Sequence, residues 1–284
     1  MHAKEVIPRA ALAGALAGLV SWVLALIFAE PLIQAAIDYE SDRGAAEEAL
    51  DAAAGIAPPA EGPEVFTRTV QGVFGIGVGM VFTGIALGLL FAVVYTLVQG
   101  RVSVRPRVLA LLVAGAGFLT FYATPFLKYP ANPPAVGHDE TIGDRSGLFL
   151  VMVVGSIVFL VVAVFVARAV RARVGTWNAA LVGGLTYVVL AGVLMAVLPS
   201  LGELAANVAT YGPAASETPQ PLRDPAGQIV FPGFDPDVLY SFRLYAITAQ
   251  VLLWGLLGLV FGALAERTTG RADSEATERE AVEV

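Results

Sequence analysis

Six stretches of this chain run about 20 residues or more without a charged side chain: roughly Ala10–Ala29, Gly72–Val98, Val108–Leu127, Gly147–Ala167, Asn178–Leu198 and Leu244–Ala265. Crossing the hydrocarbon core of a bilayer takes ~20 apolar residues of helix. Within that core every backbone N–H and C=O has to be bonded inside its own segment, which a helix achieves. Composition agrees. The chain is 57% hydrophobic and 14% charged, whereas soluble domains run near 25% charged. The expected fold is therefore all-α: a polytopic membrane protein, a six-transmembrane-helix bundle built of three helical hairpins. Residues 1–266 are expected to form a single transmembrane domain, and residues 267–284 an acidic, disordered cytoplasmic tail.

The first stretch reads as a span rather than a secretory leader. Its apolar run is too long, and Ile27-Phe28-Ala29 is a poor cleavage context. Lysine and arginine then set the orientation. Two connectors are short and basic, with Arg101, Arg105 and Arg107 in one and Arg168, Arg171 and Arg173 in the other. Together with the two ends of the chain, that side carries 11 basic and 7 acidic residues, against 6 basic and 17 acidic on the other. The basic side, and with it both termini, is expected to face the cytoplasm. The location is then the cell's inner (cytoplasmic) membrane, with the lipid bilayer as surroundings. Nucleic acid is not an expected partner.

The three remaining connectors carry the acidity. The first opens with Glu30-Pro31, an acid and a proline at a helix start. Leu32, Ile33, Ala36 and Ile37 then share one face, which predicts a short amphipathic helix on the outer surface. Residues Ala52–Pro63 are rich in Ala, Pro and Gly and read as disordered or a loose loop. The second connector, Phe126 to Asp139, cannot be helical, because Pro130, Pro133 and Pro134 remove donors and restrict the residues before them. The third, Pro199–Arg243, has six prolines beyond Pro199 and no sustained period, and reads as a long irregular flap. Each outgoing helix ends near a proline (Pro31, Pro125 or Pro130, Pro199), and each returning one starts beside Arg68, Arg145 or Arg243. Interfacial stops and snorkelling arginines explain that pattern more simply than duplication does.

Glycines four apart, at Gly14/Gly18, Gly75/Gly79, Gly84/Gly88 and Gly258/Gly262, let helices approach closely in lipid. They predict that the first, second and sixth helices pack near one another.

The chain has no cysteine and two histidines, which excludes thiolate chemistry and a His-rich metal cage. It has no GxSxG, HExxH or phosphate-binding loop, and no ionisable group at depth. An enzyme is not expected. Binding or passage of a cation through a bundle with an acidic mouth remains. His138, Asp139, Glu140 and Asp144 offer one imidazole and three carboxylates, a donor set suited to transition metals. Glu30, Asp38 and Glu40, with Lys128, Tyr129 and Asn132, are candidates for the outer mouth or ion pathway. Each group also reads as plain solvated surface, and Lys128 as a snorkelling anchor. Met80, Met152 and Met195 could act as soft ligands, although core filling is the ordinary use of methionine.

Several segments together resemble the family of probable cobalt transporter subunits, CbtA. They are Arg9-Ala10-Ala11-Leu12-Ala13-Gly14, Glu30-Pro31-Leu32-Ile33, Thr141-Ile142-Gly143, Trp177-Asn178-Ala179 and Phe242-Arg243-Leu244. Above all there is Pro125-Phe126-Leu127-Lys128-Tyr129-Pro130-Ala131-Asn132-Pro133-Pro134-Ala135-Val136-Gly137. The resemblance spans most of the chain, apart from insertions near Asp42–Pro63 and Ala205–Pro232. It implies a membrane subunit for cobalt uptake in the setting of cobalamin synthesis. Cobalt would be the transported substrate rather than a tightly bound cofactor. It also implies a small single-helix partner, CbtB, carrying a histidine-rich motif, which would explain the scarcity of histidine here. The alternative is a non-transporting scaffold whose outer loops dock a partner.

Overall fold

The computed structural model describes residues 2–57, 74–134, 136–214 and 216–282. Arg68, Gly72 and the stretch 58–63, all used above, lie outside the described residues. Among the described residues, five helices are long and apolar enough to cross a membrane by length and composition: Ala3–Ala53, Ile76–Val98, Pro106–Lys128, Asp139–Thr210 and Pro236–Arg267.

Two of these are interrupted by wide turns. The first comprises α1 (Ala3–Leu24), a π-helical turn (Ala25–Ala29) and α2 (Glu30–Ala53). The third comprises α4 (Pro106–Gly117), a π-helical segment (Phe118–Ala123) and α5 (Thr124–Lys128). Each wide turn is followed two residues later by a proline, Pro31 or Pro125. Lacking an N–H, these prolines cannot bond the carbonyls of Ile27 and Phe121, four residues back, and their rings crowd them. Both carbonyls lie inside the wide turns, which absorb the misfit. As expected, a helix starts at Glu30 with proline in its first turn. At 24 residues it is longer than the short helix expected.

The second crossing-length helix is α3 (Ile76–Val98). The longest is α6 (Ile142–Val197), 56 residues with a break at Gly175 (φ 77°, ψ 169°). A positive φ favours glycine because it lacks a Cβ. Across the break the two arms pack side by side: a Cβ on Gly183 would fall 2.9 Å from the carbonyl oxygen of Ala163. Ala163, Tyr187 and Ala191 share one buried cluster. In a straight helix, residues 163 and 183 would stand about 30 Å apart. The count of five therefore takes the two arms as one.

The third acidic connector is more ordered than the expected flap. It holds a short 3-10 turn (Leu201–Glu203), α7 (Ala205–Tyr211) and a two-stranded antiparallel ribbon, β1 (Leu222–Arg223) with β2 (Ile229–Phe231). The last helix, α8 (Pro236–Val282), carries its backbone on past Arg267 into the acidic segment. Ala, Glu and Arg are frequent there, and all three are good helix formers.

Contacts divide the chain into two compact units. One holds α1, α3, α4 and α8 from Ile247 onward; the other holds α2, the chain from Leu119 and α8 up to Ala246. In the first unit small residues are buried. Ala10, Ala13, Gly14, Ala17, Gly18 and Ser21 form the inner stripe of α1. Leu12, Leu16, Leu19 and Val23 stay exposed on the same helix. So many exposed large apolar side chains suit a surface in lipid, not in water. Cβ atoms on Gly14 and Gly84, or on Gly18 and Gly88, would overlap the facing backbone of α3 or α1. On α8, Ala249, Leu253, Leu257, Phe261 and Ala265 are buried at intervals of four. Phe261 packs on Phe91 and Tyr95, with centroids 5.0 and 4.7 Å apart. Ser21 Oγ donates to Ala249 O at 3.1 Å. The first, second and sixth apolar stretches thus meet as expected, although Gly258 and Gly262 face α4 rather than α1 or α3.

Candidate functional site

In the second unit the three acidic connectors converge. Ala36 from the first, Val136 from the second and Phe234 from the third form one buried cluster, with Tyr39, Val238 and Leu239 packed against it. The apolar face predicted for α2 supplies Ala36, and Tyr39, which was not assigned to that face, packs beside it. The Tyr39 ring meets Phe234 edge-on at 5.0 Å, and its hydroxyl donates to Pro232 O at 3.0 Å. Arg43, one turn further on, donates to Gln220 O at 2.8 Å and pairs with Glu47 at 3.0 Å.

The proline-stiffened connector is anchored in its first half. Tyr129 is buried, and its hydroxyl donates to Pro199 O at 2.9 Å. Burial raises the Tyr129 pKa above its ordinary value, which keeps it a neutral donor. Arg243 donates through Nε to Ala131 O (3.1 Å) and through Nη2 to Asn132 Oδ1 (2.8 Å). Asn132, expected at an open mouth, is therefore held by a guanidinium. The contact the structure gives Lys128 is the ring of Tyr129, 5.8 Å away, within reach of a weak cation–π attraction. Arg243 bonds into the protein rather than snorkelling, and so does Arg145.

The structure spreads the metal candidates rather than gathering them. Among the described residues, no group of three His, Cys, Asp or Glu side chains could hold a metal ion. His138 Nε2 lies 3.1 Å from Thr210 Oγ1 on α7. Asp139, Glu140 and Asp144 are exposed. Asp38 accepts a bond from Gln34 Nε2 (2.7 Å) along the exposed face of α2, and Glu30 is half-buried. One pairing crosses the two candidate groups. Glu40, well beyond the apolar run Ala10–Ala29, has its pKa raised first by desolvation and then by the charge of Asp139.

The residue that holds this region together was not among the candidates. Glu217, from the third connector, is 1% exposed. Asn207 Nδ2 of α7 donates to its Oε1 at 2.8 Å, and Thr141 Oγ1 at the start of α6 donates to the same oxygen. Arg145 Nε faces its Oε2 at 3.1 Å as an ion pair without the alignment of a hydrogen bond. Gly137 makes room for this: its φ is 131°, and a Cβ there would press on both Arg145 and Glu217. One signal was available in the sequence. Glu217 is the sole charge between Glu203 and Arg223, and a lone carboxylate in an uncharged loop is a candidate for burial.

A family model described as "Probable cobalt transporter subunit (CbtA)" matches residues 3–266. The chain belongs to the CbtA family. No curated protein and no solved structure matches it. The matched range takes in every residue named in this region, including the segment Ala205–Pro232 that the motif resemblance left aside.

Among the described residues, the apolar helices of this CbtA chain hold a bonded side-chain pair and hydroxyls turned onto their own backbone. Thr124 Oγ1 and Tyr187 OH lie 2.6 Å apart and buried. Ser156 Oγ donates to Met152 O at 2.6 Å, so that hydroxyl is occupied within its own helix. Met152 itself is fully buried.

Proposed function

We propose that this protein is the membrane subunit of a cobalt (divalent metal cation) uptake transporter. The observation that carries the reading is the family match over residues 3–266. The convergence of three carboxylate-bearing connectors on one cluster supports it, because such a surface concentrates cations. We infer six transmembrane spans in three hairpins, counting the two arms of α6 separately at Gly175. The charge asymmetry of the connectors supports an inner-membrane chain with both termini inside. A small His-bearing partner would supply the nitrogen ligands that are scarce here, and the word "subunit" in the family description supports such a partner.

In this reading the connectors form the extracytoplasmic mouth. Glu30, Asp38, Glu40, Asp139, Glu140 and Asp144 raise the local cation concentration there. Lys128, Tyr129 and Asn132 belong to the stiff segment that shapes its rim, and His138 offers the one imidazole nearby. No step in this process requires a catalytic group.

Cobalt accumulation at limiting external cobalt, in cells with and without the gene, is the direct test. Accumulation several-fold higher with the gene supports transport; equal accumulation removes it. A second reading, a scaffold whose connectors dock a partner protein, draws on how firmly the connectors are bonded to one another. Alanine at Lys128 and Asn132 separates the two. Loss of a complex with uptake intact favours the scaffold.

A further inference from the structure

The carboxylate of Glu217 is surrounded by more oxygen than its ion pair uses. Asn207 is 1% exposed. Its Nδ2 faces two acceptors, Leu201 O at 2.7 Å and Glu217 Oε1 at 2.8 Å, which fixes which way the amide points. Its Oδ1 is thereby left buried with no hydrogen-bond partner. Buried oxygens of this kind normally meet a donor or a cation. Thr141 Oγ1 sits on Glu217 Oε1 and 2.8 Å from His138 O. That carbonyl is itself 3.3 Å from Arg145 Nη2. A carboxylate, a hydroxyl and a backbone carbonyl are therefore linked where Arg145 supplies the positive charge, and the Asn207 amide that meets the carboxylate carries the unsatisfied oxygen. The Arg145 side chain is 27% exposed. It lines an open groove with Phe121, Ser146 and Phe149, which gives it somewhere to go.

We propose that Glu217, Asn207, Thr141 and the His138 carbonyl form a weak site for a divalent cation, and that Arg145 stands in for the ion when the site is empty. Oxygen ligands of this kind suit divalent cations in general. A single carboxylate keeps the affinity low, as a transient stop in a pathway requires. The proposal rests on the transport reading for its cargo, but it makes a separate claim about binding.

The test uses full-length protein in detergent, with thermal unfolding followed as Co2+ alone is added. Exposed carboxylates give every variant some response, so the differences between variants carry the result. Arg145→Gln should enlarge the Co2+-induced rise in Tm several-fold. Adding Glu217→Gln to that variant should abolish the gain, and adding Asn207→Ala should at least halve it. Equal Co2+ responses in Arg145→Gln and Arg145→Gln/Glu217→Gln overturn the site. If the Glu217 double variant does not fold, an undiminished gain in Arg145→Gln/Asn207→Ala overturns it instead. Cobalt uptake in cells keeps the two claims apart. Flat uptake with the variant pattern intact removes transport and keeps the site, whereas normal uptake with indistinguishable variants does the reverse.

Discussion

The two units solve the same packing problem with different materials. In the first, helix backbones touch: Gly14 and Gly18 of α1 lie on Gly84, Gly88 and Met80 of α3, with no side chain between them. In the second, apart from the close approach of the two arms of α6 at Gly183, segments far apart in sequence are tied by buried polar groups. Glu217 bonds Thr141 across 76 positions, and Arg243 reaches Asn132 across 111. The difference follows from the surroundings each unit is built for. Between helices in lipid there is little hydrophobic drive, so close van der Waals contact has to hold them. Connectors beyond the apolar runs can bury polar groups, provided each finds a partner.

The sharpest way to break the contrast is to add bulk to the glycine contact. Gly14→Leu should destabilise the protein by about 3 kcal/mol or more, because backbone atoms cannot step aside as side chains can. Gly79 is the control: a Cβ there meets nothing within 4 Å. Gly79→Ala should be neutral, or stabilising by up to about 1 kcal/mol through helix propensity. Thermal unfolding in detergent reads both, and equal losses at the two positions would refute backbone contact as the cause.

The second unit should fail through unpaired polarity rather than volume. Glu217→Ala removes the acceptor for Thr141 and Asn207 and leaves Arg145 without its counter-charge. Breaking a fully buried pair costs about 3–5 kcal/mol. Arg145 retains 27% exposure, so about 2–3 kcal/mol is expected here. Glu217→Gln keeps the shape and should cost about 1 kcal/mol. Proteolysis between Ala205 and Pro232 should rise with the first variant far more than with the second. Similar cleavage in both would assign the role to the charge alone, because Gln keeps the volume and one acceptor oxygen.

A smaller effect is expected at Tyr187. Tyr187→Phe removes the partner of Thr124 Oγ1 and keeps the ring in its cluster. Interhelical hydrogen bonds in membranes are worth about 0.6 kcal/mol on average, so a loss near that value is expected. A loss several times larger would mean that α5 depends on this bond in the way that the connectors depend on Glu217.

These contrasts also explain what could be read from the chain. The apolar stretches and the glycines four apart are local patterns, and lipid leaves few other ways to use them. The start of α2 was legible for the same reason, since Glu30-Pro31 acts within a single turn. The lone charge of Glu217 hinted at burial, but its partners were not legible, because a carboxylate's partner is settled by tertiary folding, and Thr141 and Asn207 carry no mark of it. Arg145 and Arg243 misled for a related reason. An arginine at the end of an apolar run has the same local sequence whether it snorkels or bonds inward. The residues at 138–144 are neighbours in sequence, but the fold gives them different surroundings: His138 meets Thr210, the charge of Asp139 acts on Glu40, and Glu140 and Asp144 are exposed.

The finest test concerns the one place where two candidate carboxylates influence each other. Desolvation, and then the charge of Asp139, raise the pKa of Glu40 in the folded protein above its ordinary value of 4.5. The folded state therefore keeps this proton to higher pH than the unfolded state does. Where the folded state binds more protons, stability falls as pH rises. Stability is thus full below the unfolded pKa and declines as pH climbs through the folded one, so the loss lies just above 4.5. Glu40 is exposed, so solvent screening keeps the effect small. Asp139→Asn removes the second cause and leaves the first. The decline of the unfolding midpoint as pH rises above 4.5 should become shallower in that variant without vanishing. A profile unchanged by Asp139→Asn would place the two carboxylates out of electrical contact, and the first and second connectors would then share only the apolar cluster at Ala36 and Val136.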